Sequence, residues 1–487
     1  MTQIVVVGAG PVGLWLAAEV RLAGVEVTVL EARAAATRHS RGPTIHPRTI
    51  ELLDCRGLAE PFLAEAVRIP SGHFGGLPRR MDFGALDTTF PFTLALPQVR
   101  TEELLEQRAL AAGVRIERGH AVRGLDQDED GVTLTVEGPA GRRSVRAEYV
   151  VGCDGTRSTV RTAAGIDFPG TDAVKWGWLG DVELDDPPQN RVLSVDGPHG
   201  NMIVIPLPGG LYRLVGNDPS GDGVHDPDEL TLDEMRSAVR RIAGTDFGMR
   251  DPRWLSRFGN AARLASTYRQ GRVLLAGDAA HMHYAAGGVG LNVGVQDATN
   301  LGWKLAAVAG GHAPETLLDT YHHERHPVGV DLLKHTRAQN ELMTAYSPEG
   351  QALRTVLADL IATVPDFSMA LAERLSGLDV HYPADGHPLI GRRVPDLEFQ
   401  DGTRLFPLLR AGRFVLLDLT GTATRPDTTA VWHSAAPARP YPGWSDVERI
   451  LVRPDGYAAG IDADVTPAYR GWPDPATTQA SVARPSG

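Results

Sequence analysis

The chain has 487 residues, of which 42% are apolar and 22% charged, with a formal net charge of −12. That length exceeds one compact core and implies two or three domains of an ordered globular protein. The acidic balance argues against nucleic acid or an anionic membrane as the main partner, and the two cysteines, Cys55 and Cys153, form neither a CxxC pair nor a zinc spacing, which fits a reducing cytoplasm.

The first apolar run, "IVVVGAGPVGLWLAAEV", has no positive segment before it and is broken by glycine and proline, so it reads as strand and helix rather than signal or span. Gly8, Gly10 and Gly13 fit GxGxxG between that strand and a helix starting near Pro11. The first glycine permits the turn, the second lets backbone approach a pyrophosphate, and the third lets helix pack on sheet. The helix start offers free N–H groups and a positive dipole end to phosphates. Glu31 closes the next strand, where a carboxylate accepts from both ribose hydroxyls and repels a 2′-phosphate; Arg33 follows it. The motif alone does not separate NAD from the adenosine half of FAD.

Further along, "AEYVVGCDGTRSTVR" is a β-rich run ending at Asp154-Gly155, before a helix start carrying Arg157, Ser158 and Arg161. Asp154 in that place serves equally well as a cap for the helix that follows. Between about Thr171 and Arg263 the pattern is β-rich and predicts an antiparallel sheet. "GRVLLAGDAAH" is another buried strand, ending in Gly277-Asp278. A carboxylate at the carboxyl edge of a parallel sheet lies where ligands of open α/β folds bind, and it accepts from a polyhydroxylated chain, which NAD lacks.

Leu291, Val295, Ala298, Leu301 and Leu305 recur at helical spacing, so a buried helix begins near Val289. His281 and His283, two apart, do not share a helix face, and packing is their default role. "YHHERHPVGVDLLKHTRAQNELM", "QALRTVLADLIATV" and "FSMALAERLSGL" read as helices. His322, His323 and His326 lack a fixed carboxylate or cysteine partner and read as a solvated helix end rather than a metal site. Prolines and glycines from Tyr382 to Pro395 mark a boundary, after which "GRFVLLDLTG" and "ERILVRPDGYAAG" look like strands of a small α/β domain.

The three glycine- and aspartate-bearing segments, in this order, resemble those of class A flavoprotein monooxygenases of the para-hydroxybenzoate hydroxylase type, and within them the actinobacterial polyketide and rifampicin hydroxylases. The resemblance implies an α/β fold. A Rossmann-like FAD domain would comprise 1–70, 98–170 and 264–390, with an antiparallel β-sheet substrate domain from 71–97 and 171–263. A thioredoxin-like tail over 391–487, lacking CxxC, would do no dithiol chemistry.

By the same resemblance Gly8, Gly10, Pro11, Gly13, Glu31 and Arg33 hold the adenosine half of FAD, and Asp278, after Gly277, holds the ribityl chain. Gly288, Gly290, Leu291 and Asn292 meet the isoalloxazine. Arg41 and Gln98 match positions near the flavin, and Asp154 belongs to a segment associated with FAD and NAD(P)H. The helix start would stabilise negative charge on the reduced ring.

The implied activity is hydroxylation of a polycyclic aromatic or polyketide-type molecule through C4a-hydroperoxyflavin, with NADPH or NADH as transient reductant and O2 as co-substrate. It would serve natural-product biosynthesis or antibiotic inactivation, in a cytoplasmic monomer or homodimer. Phe74, Leu96, Trp176, Trp178 and Met202 are candidates to line the substrate pocket, with Tyr284 and Ala285 at the flavin loop. No side chain is named as catalytic base.

Tyr284-Ala285 stands where the family usually has proline, and Val289 where it often has Gln. Loss of proline makes the loop more pliable and adds an N–H donor. That departure keeps open an alternative, an FAD-bound cyclase that performs no redox chemistry.

Overall fold

The computed structural model describes residues 2–37, 42–189, 192–223, 228–426, 428–462 and 465. Its central sheet runs in the order Arg269–Gln270, Val273–Leu275, Gly141–Gly152, Thr2–Val7, Val27–Glu31, Arg115–Arg118. The last five of these pair in parallel. The inner strands carry apolar runs, as strands covered on both faces require, and Ile4, Val5, Val6, Val29, Val150 and Val151 are fully buried, whereas the edge strand Arg115–Arg118 is largely charged. A meander of Ala121–Asp128 and Gly131–Gly138 extends from Gly141–Gly152 in antiparallel pairing.

Two helices build the site from this sheet, Pro11–Leu22 and Gly290–Ala309. They approach closely because small residues face the contact: a Cβ on Gly302 would lie 2.6 Å from the Cβ of Glu19. Trp15 Nε1 donates to Thr299 Oγ1 at 2.8 Å and fixes their relative rotation. The expected helix start near Val289 is found at Gly290.

The β-rich stretch forms a five-stranded antiparallel sheet in the order Leu193–Gly197, Gly200–Pro206, Tyr212–Asp222, Lys175–Leu184, Met249–Gly259. It also contains a helix that the β-rich reading passed over, Leu232–Ala243. Thr231 caps it in a reciprocal box with Glu234, and Gly244 ends it in the left-handed conformation. This helix covers one face of the sheet.

The later helices are Asp319–Met343, Pro348–Thr363 and Pro365–Ser376. Beyond them a four-stranded mixed sheet contains Val415–Asp418 and Arg449–Val452 at its centre, flanked by Val431–Ser434 and Ala458–Ile461. Among the described residues no single helix is long and apolar enough to cross a membrane.

Candidate active site

Three turns follow three adjacent parallel strands and therefore meet at one edge of the central sheet. They are Gly8 to Gly10 after Thr2–Val7, Cys153-Asp154 after Gly141–Gly152, and Gly277-Asp278 after Val273–Leu275.

The first turn shows which glycines the fold itself needs. Gly8 has φ +106°, and a Cβ there would lie 2.4 Å from the Cys153 carbonyl oxygen. A Cβ on Gly13 would lie 2.0 Å from the Gly8 oxygen. Gly10 differs: its φ is −79°, and a Cβ there would meet nothing within 4 Å. Among the described residues no neighbour demands a glycine at that position. What the open space accommodates is a ligand approaching the backbone, at the start of a helix whose first turn carries Pro11.

Glu31 is buried at the end of its strand and binds the same turn. Its Oε2 accepts from the Ala9 N–H at 2.8 Å, while Oε1 accepts from the backbone N–H and Nε of Arg33 at 2.9 and 3.0 Å. Burial raises its pKa, but Arg33 and the two backbone donors outweigh that, and the carboxyl is held below its ordinary value. Gln98 is the first residue of helix Gln98–Ala111 and donates to Glu102 at 2.8 Å. Glu102 in turn helps to raise the pKa of Arg33. Arg41 lies outside the described residues.

Asp154 is engaged in capping. It accepts from Ser158 Oγ at 2.5 Å and from the backbone N–H groups of Thr159 and Val160 at 2.8 and 3.2 Å. Arg161, on the short helix it caps, donates to the Ala279 carbonyl at 2.9 Å and so fastens the second turn to the third. Arg157 is exposed.

In the third turn Asp278 is exposed between buried neighbours, so its carboxylate projects out of the core at the edge of the sheet. The turn is held from behind by His281 and by two residues the sequence does not single out, Asp297 and Arg325. Asp297, in the middle of helix Gly290–Ala309, accepts from the Gly277 N–H at 3.2 Å, from His281 Nε2 at 2.7 Å and from Arg325 Nε at 2.7 Å. Burial raises the pKa of Asp297, but Arg325 and His281 prevail and hold it below the usual carboxylate value. His281, expected to pack, also makes a buried polar contact through Nε2 to Asp297. His322 and His326 pack around the ring of buried Tyr268.

Ahead of helix Gly290–Ala309 the chain makes a second glycine turn. Gly287 and Gly288 have φ of +68° and +65°, and a Cβ on Gly288 would lie 2.7 Å from Thr44. Asn292 closes this turn with its side chain: Oδ1 accepts from the His46 N–H at 2.7 Å, and Nδ2 donates to the carbonyls of Thr44 and Gly288. His46 Nε2 lies 2.8 Å from the Gly287 carbonyl, which only accepts, so that nitrogen carries the proton. Burial lowers the pKa of His46 to about 4.

Beside the helix start, a Cβ built on Gly290 would lie 2.9 Å from His283 Nε2 and 4.0 Å from Asp278 Oδ1. Backbone donors, a carboxylate and an imidazole thus converge there, next to exposed Gly288 and half-buried Leu291.

The substrate-side expectations divide by face of the antiparallel sheet. Trp178 and Met202 lie in the core beneath helix Leu232–Ala243, with Val182, Leu214 and Met235. Leu96 lies in the main core. These three placements correct the pocket-lining expectation. Aromatic or apolar character does not tell which face a strand residue takes, whereas the two-residue period does. Trp176 is half-buried and packs over Gly259, and Phe74 shares an apolar cluster with Val289.

The opposite face carries the row Ile203, Val215, Leu179 and Ser256, all cross-strand neighbours. The adjacent row is Asn201, Asn217, Gly177 and Phe258. Tyr284 meets this second row, donating from its hydroxyl to Asn217 Oδ1 at 2.7 Å and packing on Phe258 with ring centroids 5.7 Å apart. Ala285, next to it, is exposed.

Residues 1–336 match the family described as FAD binding domain, and residues 387–476 match the aromatic-ring hydroxylase C-terminal family. This chain belongs to the FAD-dependent aromatic-ring hydroxylases. It is 44% identical to the 12-dehydrotetracycline 5-monooxygenase/anhydrotetracycline 6-monooxygenase of Streptomyces rimosus, an alignment covering 96% of this chain and 98% of that one. The solved structure of the OxyS anhydrotetracycline hydroxylase from Streptomyces rimosus superposes with a TM-score of 0.87 at 43% identity, covering 94% of this chain and 95% of that chain. A dialkyldecalin synthase of Streptomyces rugosporus is 37% identical, over 94% of this chain and 95% of its own.

This hydroxylase is therefore a flavoprotein monooxygenase whose cofactor is FAD. The residues fit that cofactor on their own evidence: Gly10 keeps an open backbone that none of the described residues occupies, and Asp278 projects from a buried turn. The cyclase alternative is less well supported, since higher identity falls to relatives named as monooxygenases.

Proposed function

We propose that the enzyme uses NAD(P)H and O2 to hydroxylate a polycyclic aromatic of polyketide type. The observation that carries this reading is the apolar row Leu179, Val215 and Ile203, which lies on the face of the substrate sheet opposite helix Leu232–Ala243, beside the strand residue that Tyr284 reaches from the flavin turn. A flat apolar row suits a flat fused-ring substrate. Phe74, Tyr284 and Ala285 complete the proposed surroundings of the substrate, whereas Trp176, two residues from Trp178 on the same strand, shares the face of Trp178.

Bound FAD supplies the redox chemistry and the activation of oxygen. The chain's residues bind and orient. Gly8 and Gly13 set the turn, Gly10 leaves its backbone open to the pyrophosphate, and the N–H groups from Val12 onward would face it. Glu31 accepts from the adenosine ribose with Arg33 beside it. Asp278, presented by Gly277, accepts from the ribityl hydroxyls, and Gln98 lies near that chain. Asp154 contributes by shaping backbone, because its oxygens are engaged in the cap.

Gly288, Gly290, Leu291 and Asn292 would present the helix start to the flavin ring, where N–H dipoles would stabilise negative charge. Burial keeps His46 and His283 below the ordinary histidine pKa. His283 Nδ1, 2.7 Å from the Tyr284 carbonyl, is the protonated nitrogen, leaving Nε2 with a lone pair toward Gly290. The enzyme acts in the cytoplasm as a monomer or homodimer on a small molecule, with neither nucleic acid nor membrane as partner.

The test is anaerobic. NADPH or NADH is added to the purified yellow protein, and flavin bleaching is followed with and without a panel of polycyclic phenols and quinones. Bleaching accelerated by a panel member supports the reading. Flavin that stays oxidised under every condition overturns it in favour of the cyclase.

A further inference from the structure

Three residues from three separate elements interlock over one glycine. Gly177 lies on the strand Lys175–Leu184 between Asn217 and Phe258, its partners on the two neighbouring strands. A Cβ on Gly177 would lie 2.3 Å from the Phe258 ring and 2.4 Å from Asn217 Oδ1, so both side chains rest on bare backbone there. Tyr284 closes the cluster from the flavin turn through its ring on Phe258 and its hydroxyl on Asn217. Asn217 is 3% exposed and Tyr284 is 2% exposed, so this bond is shielded from competing water. The chain of amides continues, Asn217 Nδ2 donating to Asn201 Oδ1 at 3.3 Å and Asn201 to the Met343 carbonyl at the end of helix Asp319–Met343.

We propose that Tyr284 is a positioning residue. Its bond to Asn217 pins the turn before Gly290 to the substrate sheet, fixing the height of the apolar row Leu179, Val215 and Ile203 relative to the flavin. The proposal rests on the functional reading above and deepens it. A proline in place of Tyr284 would stiffen the turn locally, through its own ring. A tyrosine leaves the turn locally pliable and ties it instead to the surface that carries the substrate. The two halves of the site are then set by one bond rather than by two independent supports.

The consequence concerns the fate of reducing equivalents. Coupled turnover converts substrate C–H, O2, NAD(P)H and H⁺ to substrate C–OH, H2O and NAD(P)⁺. Without a correctly placed substrate, O2, NAD(P)H and H⁺ yield H2O2 and NAD(P)⁺, and both equations balance. Releasing the pin shifts turnover from the first to the second.

Tyr284→Phe keeps the ring and removes the bond. Two readouts are taken on the holoenzyme: amide hydrogen exchange of residues 284–289, and H2O2 formed per NAD(P)H with anhydrotetracycline as probe. Loss of a buried hydrogen bond predicts exchange about tenfold faster in that segment, with the strand Thr2–Val7 unchanged, and at least a doubling of the H2O2 ratio. Asn217→Ala gives the same two changes, and the double variant gives no more than either single one.

Unchanged exchange overturns the pin. Exchange that rises equally across the chain also overturns it, because that is a loss of global stability. Faster local exchange with an unchanged H2O2 ratio overturns the positioning role. If the wild type fails to hydroxylate the probe, that counts against the substrate reading alone, and the exchange arm still decides whether the pin exists.

Discussion

Gly10→Ala separates a glycine kept for a ligand from glycines kept for the fold. At Gly10 the backbone has φ −79°, accessible to alanine, and the added methyl meets nothing within 4 Å. The apoprotein is expected to keep its stability or gain about 0.5 kcal/mol from the smaller entropy of its unfolded chain. Gly13→Ala would put its methyl 2.0 Å from the Gly8 oxygen, and Gly8→Ala combines φ +106° with a 2.4 Å approach to the Cys153 oxygen. Overlaps of that size against backbone cost on the order of 3 kcal/mol or more. For FAD the order reverses, since the Gly10 methyl occupies the approach to the pyrophosphate. Crowding of about 1–3 kcal/mol lowers affinity by roughly 5- to 150-fold. The assay pairs thermal unfolding of each apoprotein with FAD titration followed by flavin fluorescence. A Gly10→Ala protein that binds FAD like the wild type refutes the placement of the pyrophosphate. One that melts as early as Gly13→Ala refutes the argument from open space.

The other expectations follow the same logic. Glu31→Gln removes the charge from a carboxylate that accepts from Ala9 and Arg33, and FAD affinity should fall about 10- to 100-fold in the same titration. Asp297→Asn leaves the guanidinium of Arg325, 0% exposed, without its carboxylate, and urea unfolding of the apoprotein should show a loss of about 3 kcal/mol. Because the pKa of Asp297 is lowered by folding, its contribution is complete above about pH 3.9 and is lost as pH falls through the lower folded value, so the gap between variant and wild type should narrow in that range. His46, held at about 4 by burial, stays neutral while the unfolded chain protonates near 6.5. Stability should therefore drop by roughly 3 kcal/mol as pH falls from about 6.5 to 4, and His46→Gln should flatten that slope in urea titrations. Val215→Trp should abolish product formation with little change in melting temperature, while Met202→Ala should cost about 2–4 kcal/mol of stability; the reverse pattern would show that the two faces of the sheet have been exchanged.

What was legible in the sequence depended on how local the physics is. The turn at Gly8, the strand-end carboxylate Glu31 and the helix from Gly290 follow from spacing within a few residues of each position. Helix Leu232–Ala243 also had a local signal, Thr231 three residues before Glu234, but it was hidden inside a stretch read by its β content. The substrate face needs strand parity rather than residue type, and residue type alone offers Trp178 and Met202 as pocket candidates although both lie in the core under helix Leu232–Ala243. The partners that hold the turns in place lie far away in sequence: Arg325 is 28 residues from Asp297, and His46 is 246 residues from Asn292. Asp297 and Lys304 did carry a signal, being charged residues in a helix otherwise apolar enough to be buried. A charge in such a helix predicts a buried partner without naming it.

The same reasoning gives the carboxy-terminal sheet its purpose. It has no dithiol, yet the loop from Arg453 to Tyr457 carries more buried charge contacts to the rest of the chain than a mere appendage would need. Arg453 is held by Glu324 and Asp455, and Lys304 donates to the same Glu324 at 2.8 Å. Arg48 and Arg56 donate to the carbonyls of Asp455 and Pro454. Tyr457 stacks on Tyr382 with centroids 4.3 Å apart, and the Tyr382 hydroxyl accepts from Arg325, the residue that holds Asp297. Buried ion pairs of this kind contribute little net stability, but removing one side of them is expensive, because the partner is left charged and dry. Their effect is therefore to make one arrangement of domains far better than any neighbouring one. Through Arg325 and Asp297 those contacts reach the Gly277 turn, so the loop from Arg453 to Tyr457 and the flavin-side turn share one continuous set of buried polar contacts.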